Sequence, residues 1–180
     1  MEWLTETKIP LGRWIASLMD ALNEHADFVF YTISDVLEFI IENTVDLLVW
    51  LPPFLIIAAF GALAAWLHKS WKLTAFTVLS LLLIVNLGYW EATMETLALV
   101  LYASLFCMVI GVPLGVASAH RPWLFQILRP VLDLMQTIPT FVYLIPTLIL
   151  FGLGVVPGLI STVIFAIAAP VRLTHLGIIS

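Results

Sequence analysis

Charged side chains fall in bunches along this chain, and the gaps between the bunches predict its elements. Residues 47–67 carry no Asp, Glu, Lys or Arg, and neither do 73–90, 96–120 or 134–171. A membrane crossing needs roughly 20 apolar residues at about 1.5 Å of rise each, so each of the first three gaps fits one helix. The fourth gap is too long for one crossing. It contains Phe151-Gly152-Leu153-Gly154-Val155-Val156-Pro157-Gly158, a density of glycine and proline that reads as a turn. The gap therefore divides into spans at 138–152 and 156–171, for about five spans in all.

The residues between the spans predict an orientation. Lys69 and Lys72 follow the first span, Glu91 and Glu95 the second, and His120, Arg121 and Arg129 the third; the turn after the fourth is uncharged, and Arg172 and His175 follow the fifth. Every second loop is basic. Basic loops stay in the cytoplasm, which puts the N-terminus outside. Trp50, Trp66, Trp71, Tyr89, Trp90 and Trp123 lie near span ends, where aromatic rings favour the interface.

Residues 1–45 differ, holding eight carboxylates against Lys8 and Arg13. Leu11, Trp14, Ile15, Leu18 and Leu22 recur at helical spacing, as do Val29, Ile33, Val36, Leu37 and Ile40. This pattern predicts two short amphipathic helices on the outer membrane face or on a partner. An acidic start with no basic n-region is not a signal peptide.

Composition strengthens the membrane reading. Of 180 residues, 62% are hydrophobic and 11% charged, about half the charge of a typical soluble domain. Mean hydropathy is +1.10. The net charge of −5 and the lack of any basic run argue against a nucleic-acid partner. Cys107, the single cysteine, reads as a small buried hydrophobe.

Catalytic chemistry has no foothold. His25, His68, His120 and His175 are scattered without metal-ligand spacing, so no metal or other cofactor is expected. The spans hold no charged residue for a proton relay. Lys69-Ser70 matches the tail of a phosphate-binding loop, but Leu63 and His68 stand where its glycines belong. Any ATP-driven work needs an ATPase on another chain. Gly111 and Gly115, extended by Ala117 and Ala119, form a small-residue face suited to helix packing.

The most informative stretch is 128–158. Gln136, Thr140, Tyr143 and Thr147 step by helical intervals, flanked by Thr137, and on one unbroken helix they share a face. Pro139 and Pro146 interrupt that helix. Each removes a backbone donor, which leaves the carbonyls of Met135 and Val142 without their usual partners. Freed backbone groups at membrane depth must be satisfied by neighbours or by water in a cavity. A polar stripe on broken backbone suits a solute pathway. It equally suits helix-to-helix packing with hydroxyls bonded to their own helix.

The run Leu128-Arg129-Pro130-Val131-Leu132-Asp133-Leu134-Met135-Gln136-Thr137-Ile138-Pro139-Thr140-Phe141-Val142-Tyr143-Leu144-Ile145-Pro146 resembles the permease subunits of bacterial binding-protein-dependent ABC importers for glycine betaine, proline betaine and choline. Gly88-Tyr89-Trp90-Glu91, Phe151-Gly152-Leu153-Gly154 and Pro170-Val171-Arg172-Leu173-Thr174 extend the likeness from about residue 88 to the end. The resemblance implies an all-α membrane protein, a multi-span transmembrane helical bundle of the type I ABC importer permease fold, in the bacterial cytoplasmic (inner) membrane. It implies a cytoplasmic ATPase subunit, a periplasmic or lipid-anchored substrate-binding protein and a second permease copy as partners, beside the lipid bilayer. Three parts are then expected: an acidic extracytoplasmic segment at 1–45, two transmembrane helices at 46–91, and the N-terminal part of the permease domain at 92–180. The family's coupling loop, with its Glu-Ala-Ala motif, is expected just after Arg172–Ser180, so the chain reads as a fragment or a truncated reading frame. Gln136, Thr137, Thr140, Tyr143 and Thr147 become candidates for the translocation pathway. A secondary transporter or channel, or a non-transporting membrane scaffold, is the alternative.

Overall fold

A computed structural model describes residues 11–180, without the side chains of Leu11, Ile15, Leu18 and Asn23. Glu2, Glu6 and Lys8 of the acidic segment, and those three apolar side chains of its first stripe, lie outside the described residues. The described residues form helices α1 (Leu11–Trp50), α2 (Pro53–His68), α3 (Trp71–Asn86), α4 (Trp90–His120), α5 (Pro122–Thr137), α6 (Thr140–Phe151), α7 (Val155–Ala166) and α8 (Ala168–Ile179). There are no strands among them. Apolar sequence in a bilayer demands this, because a helix satisfies its own backbone where no water can.

Two expectations are corrected here. The acidic segment is one helix of 40 residues, α1, and not two short ones. No proline or glycine falls between Gly12 and Pro52, and Asp20, Glu24, Asp27, Asp35, Glu38, Glu42 and Asp46 keep one helical phase throughout. The first span does not begin at 47, because Pro52 and Pro53 end α1 at Trp50 and the chain bends by 94° into α2. By length and apolarity, α4 and the run Val155–Ile179 can each cross a membrane, and each of two bent helix pairs can make a further span. Helices α2 and α3, with 16 residues each, are only about 24 Å long.

Two compact units emerge. One comprises 39–105. In it α2 and α3 pack side by side, with Gly61 so close to Val78 that a Cβ would lie 2.8 Å from its Cγ2. Lys69 turns the chain between them in the left-handed region, at φ 50°. Thr44 Oγ1 and Tyr102 Oη share a hydrogen bond of 2.6 Å between α1 and α4. Helix α3 buries no residue, and its Phe76, Leu79, Leu82 and Leu83 are all exposed. Apolar faces of that extent are what lipid covers.

The other unit joins the start of α1 to 106–180. Its centre is α8. Leu132 of α5 and Ala168 and Val171 of α8 form a buried cluster, with Leu128, Met135 and Ile167 packed around it. Val156, Leu159 and the polar Ser161 of α7 are also buried.

Candidate functional site

The candidate site is the second bend. Helix α5 stops at Thr137, Ile138 is extended at φ −81°, ψ 129°, and α6 starts after Pro139. The two helices meet at 96°. The chain repairs part of its own backbone here: Ile138 N–H donates to Leu134 O at 3.1 Å and Val142 N–H to Pro139 O at 2.9 Å. Pro139 still withholds a donor from Met135 O. That carbonyl accepts the Tyr143 hydroxyl at 3.2 Å, reaching back across the bend. Thr137 Oγ1 donates to Leu134 O at 3.0 Å.

The expected single face does not exist, because the bend divides it. Gln136 and Thr137 end α5, whereas Thr140, Tyr143 and Thr147 belong to α6. Gln136, Thr137 and Thr140 are exposed, Tyr143 is half-buried and Thr147 is buried. Among the described residues, the side chains of Gln136 and Thr140 have no hydrogen-bond partner, so both polar groups at the bend are free to meet water or a solute.

Thr147 behaves differently. Its Oγ1 lies 3.0 Å from Ser161 Oγ on α7, 2.9 Å from Tyr143 O and 3.4 Å from Pro157 O. Ser161 Oγ is also 2.7 Å from Pro157 O. Each hydroxyl has one proton. Where the two hydroxyls bond each other, either Thr147 donates to Ser161 and Ser161 to Pro157 O, or Ser161 donates to Thr147 and Thr147 to Tyr143 O or Leu144 O. Both arrangements tie α6 to α7 behind the bend. Ser161 was not singled out from the sequence, because nothing local links it to a residue fourteen positions earlier.

Gly111 and Gly115 lie on α4 against α8. A Cβ on Gly111 would come within 2.8 Å of Pro170 Cγ, and one on Gly115 within 2.6 Å of Thr174 Cβ and 2.8 Å of Val171 O. The two helices touch nearly backbone to backbone, as small residues permit. One turn further, Ser118 Oγ is 2.8 Å from Gly115 O and 3.0 Å from His175 Nδ1. Both bonds form together only when Nδ1 carries the proton, since the hydroxyl has a single hydrogen to give. The His175 ring also stacks on Phe125 of α5, 3.6 Å between centroids. Arg172 Nη2 reaches Asp133 Oδ1 at 2.5 Å. Helix α8 thus grips α4 on one side and α5 on the other. Sequence reading placed His175 and Arg172 only as loop charges. Their partners lie 39 to 57 positions away, beyond any local pattern.

A groove of about 450 Å³ lies between α1, α4 and α7, lined by Ile33, Val36, Phe106, Ile110, Leu159 and Val163 among others. The hydroxyl of Thr32 on its edge is bonded to Phe28 O at 2.7 Å. The groove offers nothing to orient a polar solute.

The family described as binding-protein-dependent transport system inner membrane component matches residues 111–180, the bend and the α4–α8 seam included. The chain is 45% identical over 179 residues to the glycine betaine/carnitine transport permease protein GbuB of Listeria monocytogenes, covering 94% of this chain and 61% of that one. It is 43% identical over 173 residues to the glycine betaine/proline betaine transport system permease protein ProW of Escherichia coli (96% and 49%). It is 39% identical over 171 residues to the glycine betaine transport system permease protein OpuAB of Bacillus subtilis (95% and 60%). The chain spans between about half and three-fifths of the length of these relatives. Residues 111–180 therefore match the inner-membrane component of binding-protein-dependent transport systems, and nearly the whole chain is a multi-pass bacterial inner-membrane relative of the glycine betaine permeases.

Proposed function

We propose that this chain contributes the translocation pathway of an ATP-driven importer of quaternary ammonium solutes, glycine betaine first among them. Two permease copies line the pathway, a cytoplasmic ATPase subunit hydrolyses ATP, and a periplasmic or lipid-anchored binding protein delivers the solute. Glycine betaine stands in the names of all three relatives, which supports the choice of solute. The observation that carries the pathway reading is the pair Gln136 and Thr140, exposed and unpartnered at a 96° bend in otherwise apolar helices.

The chemistry suits such a solute. A quaternary ammonium group is a permanent cation with no proton to donate, and glycine betaine balances it with a carboxylate. A carboxylate in the pathway would hold the cation too long, and conduction requires weak binding. No charged side chain occurs between 134 and 171. Gln136, Thr137, Thr140 and Tyr143 supply amide and hydroxyl groups that replace hydration without trapping charge. Thr147 supports them by fixing α6 on α7. The test is glycine betaine uptake by the full-length permease, assembled with its ATPase and binding protein, in Gln136→Leu and Thr140→Val. Intramembrane hydrogen bonds average about 0.6 kcal/mol, so neither change should reduce the inserted protein. Uptake per inserted permease should fall about tenfold in the pair combined, a barrier increase of about 1.4 kcal/mol. Normal uptake by both variants would remove the pathway assignment.

A further inference from the structure

Helices α6 and α7 are separated by a glycine turn, and neither has a side-chain cap of its own at that turn. Gly152 and Gly154 adopt φ +81° and +149°. The last carbonyl of α6 and the first amides of α7 need partners from elsewhere, as all helix ends do. Helix α1 supplies a partner for that carbonyl and a carboxylate near those amides. Ser34, only 7% exposed, donates its hydroxyl to Phe151 O at 3.0 Å. The Phe30 ring meets the Phe151 ring edge-on, 5.2 Å between centroids. A Glu38 carboxylate oxygen lies 3.2 Å from where a Gly154 Cβ would stand, next to the N-terminus of α7, where a helix dipole favours negative charge.

Phe30, Ser34 and Glu38 follow one another at intervals of four, on one face of α1. One face of one helix thus bonds the C-terminal end of α6 and sets a carboxylate against the positive end of α7. The other carboxylates of the helix's acidic stripe at 20, 24, 27, 35, 42 and 46 are exposed, while Glu38 is half-buried. The side assignment agrees as well: the alternation of basic loops expects both α1 and the uncharged 151–155 turn outside the membrane.

We propose that Phe30, Ser34 and Glu38 form a strap that fixes the α6–α7 turn, making the N-terminal amphipathic helix a positioning element for transport. The proposal rests on the pathway reading above, since α6 carries the polar residues of the bend. Its substance is that Ser34 and Glu38 set the position of α6 from its far end, without touching the solute.

The experiment uses the full-length permease with its partners in liposomes, in a Cys107→Ser background. Spin labels on Tyr31→Cys and Leu153→Cys, both exposed positions, report the distance between α1 and the turn. A single narrow distance distribution is expected, turning broad or bimodal with Ser34→Ala plus Glu38→Gln. In the unlabelled permease, Ser34→Ala should lower maximal glycine betaine uptake per inserted protein about 2- to 10-fold with KM unchanged, and Ser34→Thr should restore it. A distribution indifferent to both substitutions overturns the strap. So does a broadened distribution with normal uptake, or a rise in KM alone, which would move the effect to binding-protein docking. The two readings separate cleanly. If Gln136→Leu and Thr140→Val transport normally while Ser34→Ala does not, the pathway assignment falls and the strap stands.

Discussion

The chain bends twice by nearly the same angle, 94° after Trp50 and 96° after Thr137, and the two bends have different contents. Both are made by proline, and both mend their backbone alike, with Leu55 N–H donating to Pro52 O and Val142 N–H to Pro139 O, each at 2.9 Å. Around the first bend, from Leu47 to Ala64, Trp50 is the only side chain able to hydrogen-bond. The second is surrounded by Gln136, Thr137, Thr140 and Tyr143. A right-angled turn in apolar helix is thus a matter of shape that proline alone can deliver. On the pathway proposed above, polar side chains at one bend and their absence at the other distinguish the bend that serves a solute from the one where only the chain turns.

Removing the prolines should break the symmetry first. Pro139→Ala returns the missing donor to Met135 O and frees α5 to run on into α6. A proline inside a helix costs about 3 kcal/mol or more, so its removal favours the straight form by more than about a hundredfold. Uptake should fall to background, and spin labels at exposed Val131 and Ile145 should move apart. Pro53→Ala at the other bend should change uptake little, because proline at the first helical turn replaces no hydrogen bond. Equal loss from both substitutions would show that the bends serve the same purpose.

Tyr143→Phe should have the next largest effect. It strips Met135 O of its hydroxyl partner, a loss of about 1–3 kcal/mol for a carbonyl left unsatisfied. Thermal unfolding in detergent should move down, with uptake falling alongside. Trp50→Phe at the first bend should leave both unchanged, since no backbone bond there depends on a side chain. The smallest effect belongs to Thr147→Val. It removes one member of the Thr147–Ser161 pair, for about 0.6 kcal/mol on membrane averages, and uptake per inserted protein should stay near wild type.

Much of this was legible in the residues, and the limits are physical. Charge gaps located α2, α3 and α4, and glycine density located the turn at 152–154. The effect of Pro139 on Met135 O follows from proline chemistry, and the structure has Tyr143 making the repair. The expectation of one polar face failed because a periodic count assumes a straight helix, and the bend at Ile138 ends that assumption. The division of α1 into two helices failed for the opposite reason: two apolar stripes in the same phase were read separately, although the carboxylates run unbroken between them. Ser161, His175 with Phe125, Asp133 with Arg172, and Ser34 with Phe151 could not be read at all. Each pair is joined by tertiary packing across 14 to 117 positions, and no local spacing encodes such a meeting.

The seam between α4 and α8 also has a consequence in time. Gly111 and Gly115 are filled only when Pro170 and Thr174 arrive, roughly 60 residues later, which at ordinary rates of synthesis is about 3–12 s. During that interval the nascent α4 stands in lipid with a bare notch along one side. The notch is harmless, since a helix keeps its backbone bonded internally, and it selects what can fill it. Only a helix arriving with its backbone equally close at Val171 can seat there. The two glycines therefore act as a mould set early in the membrane, and α8 is the casting that fits it.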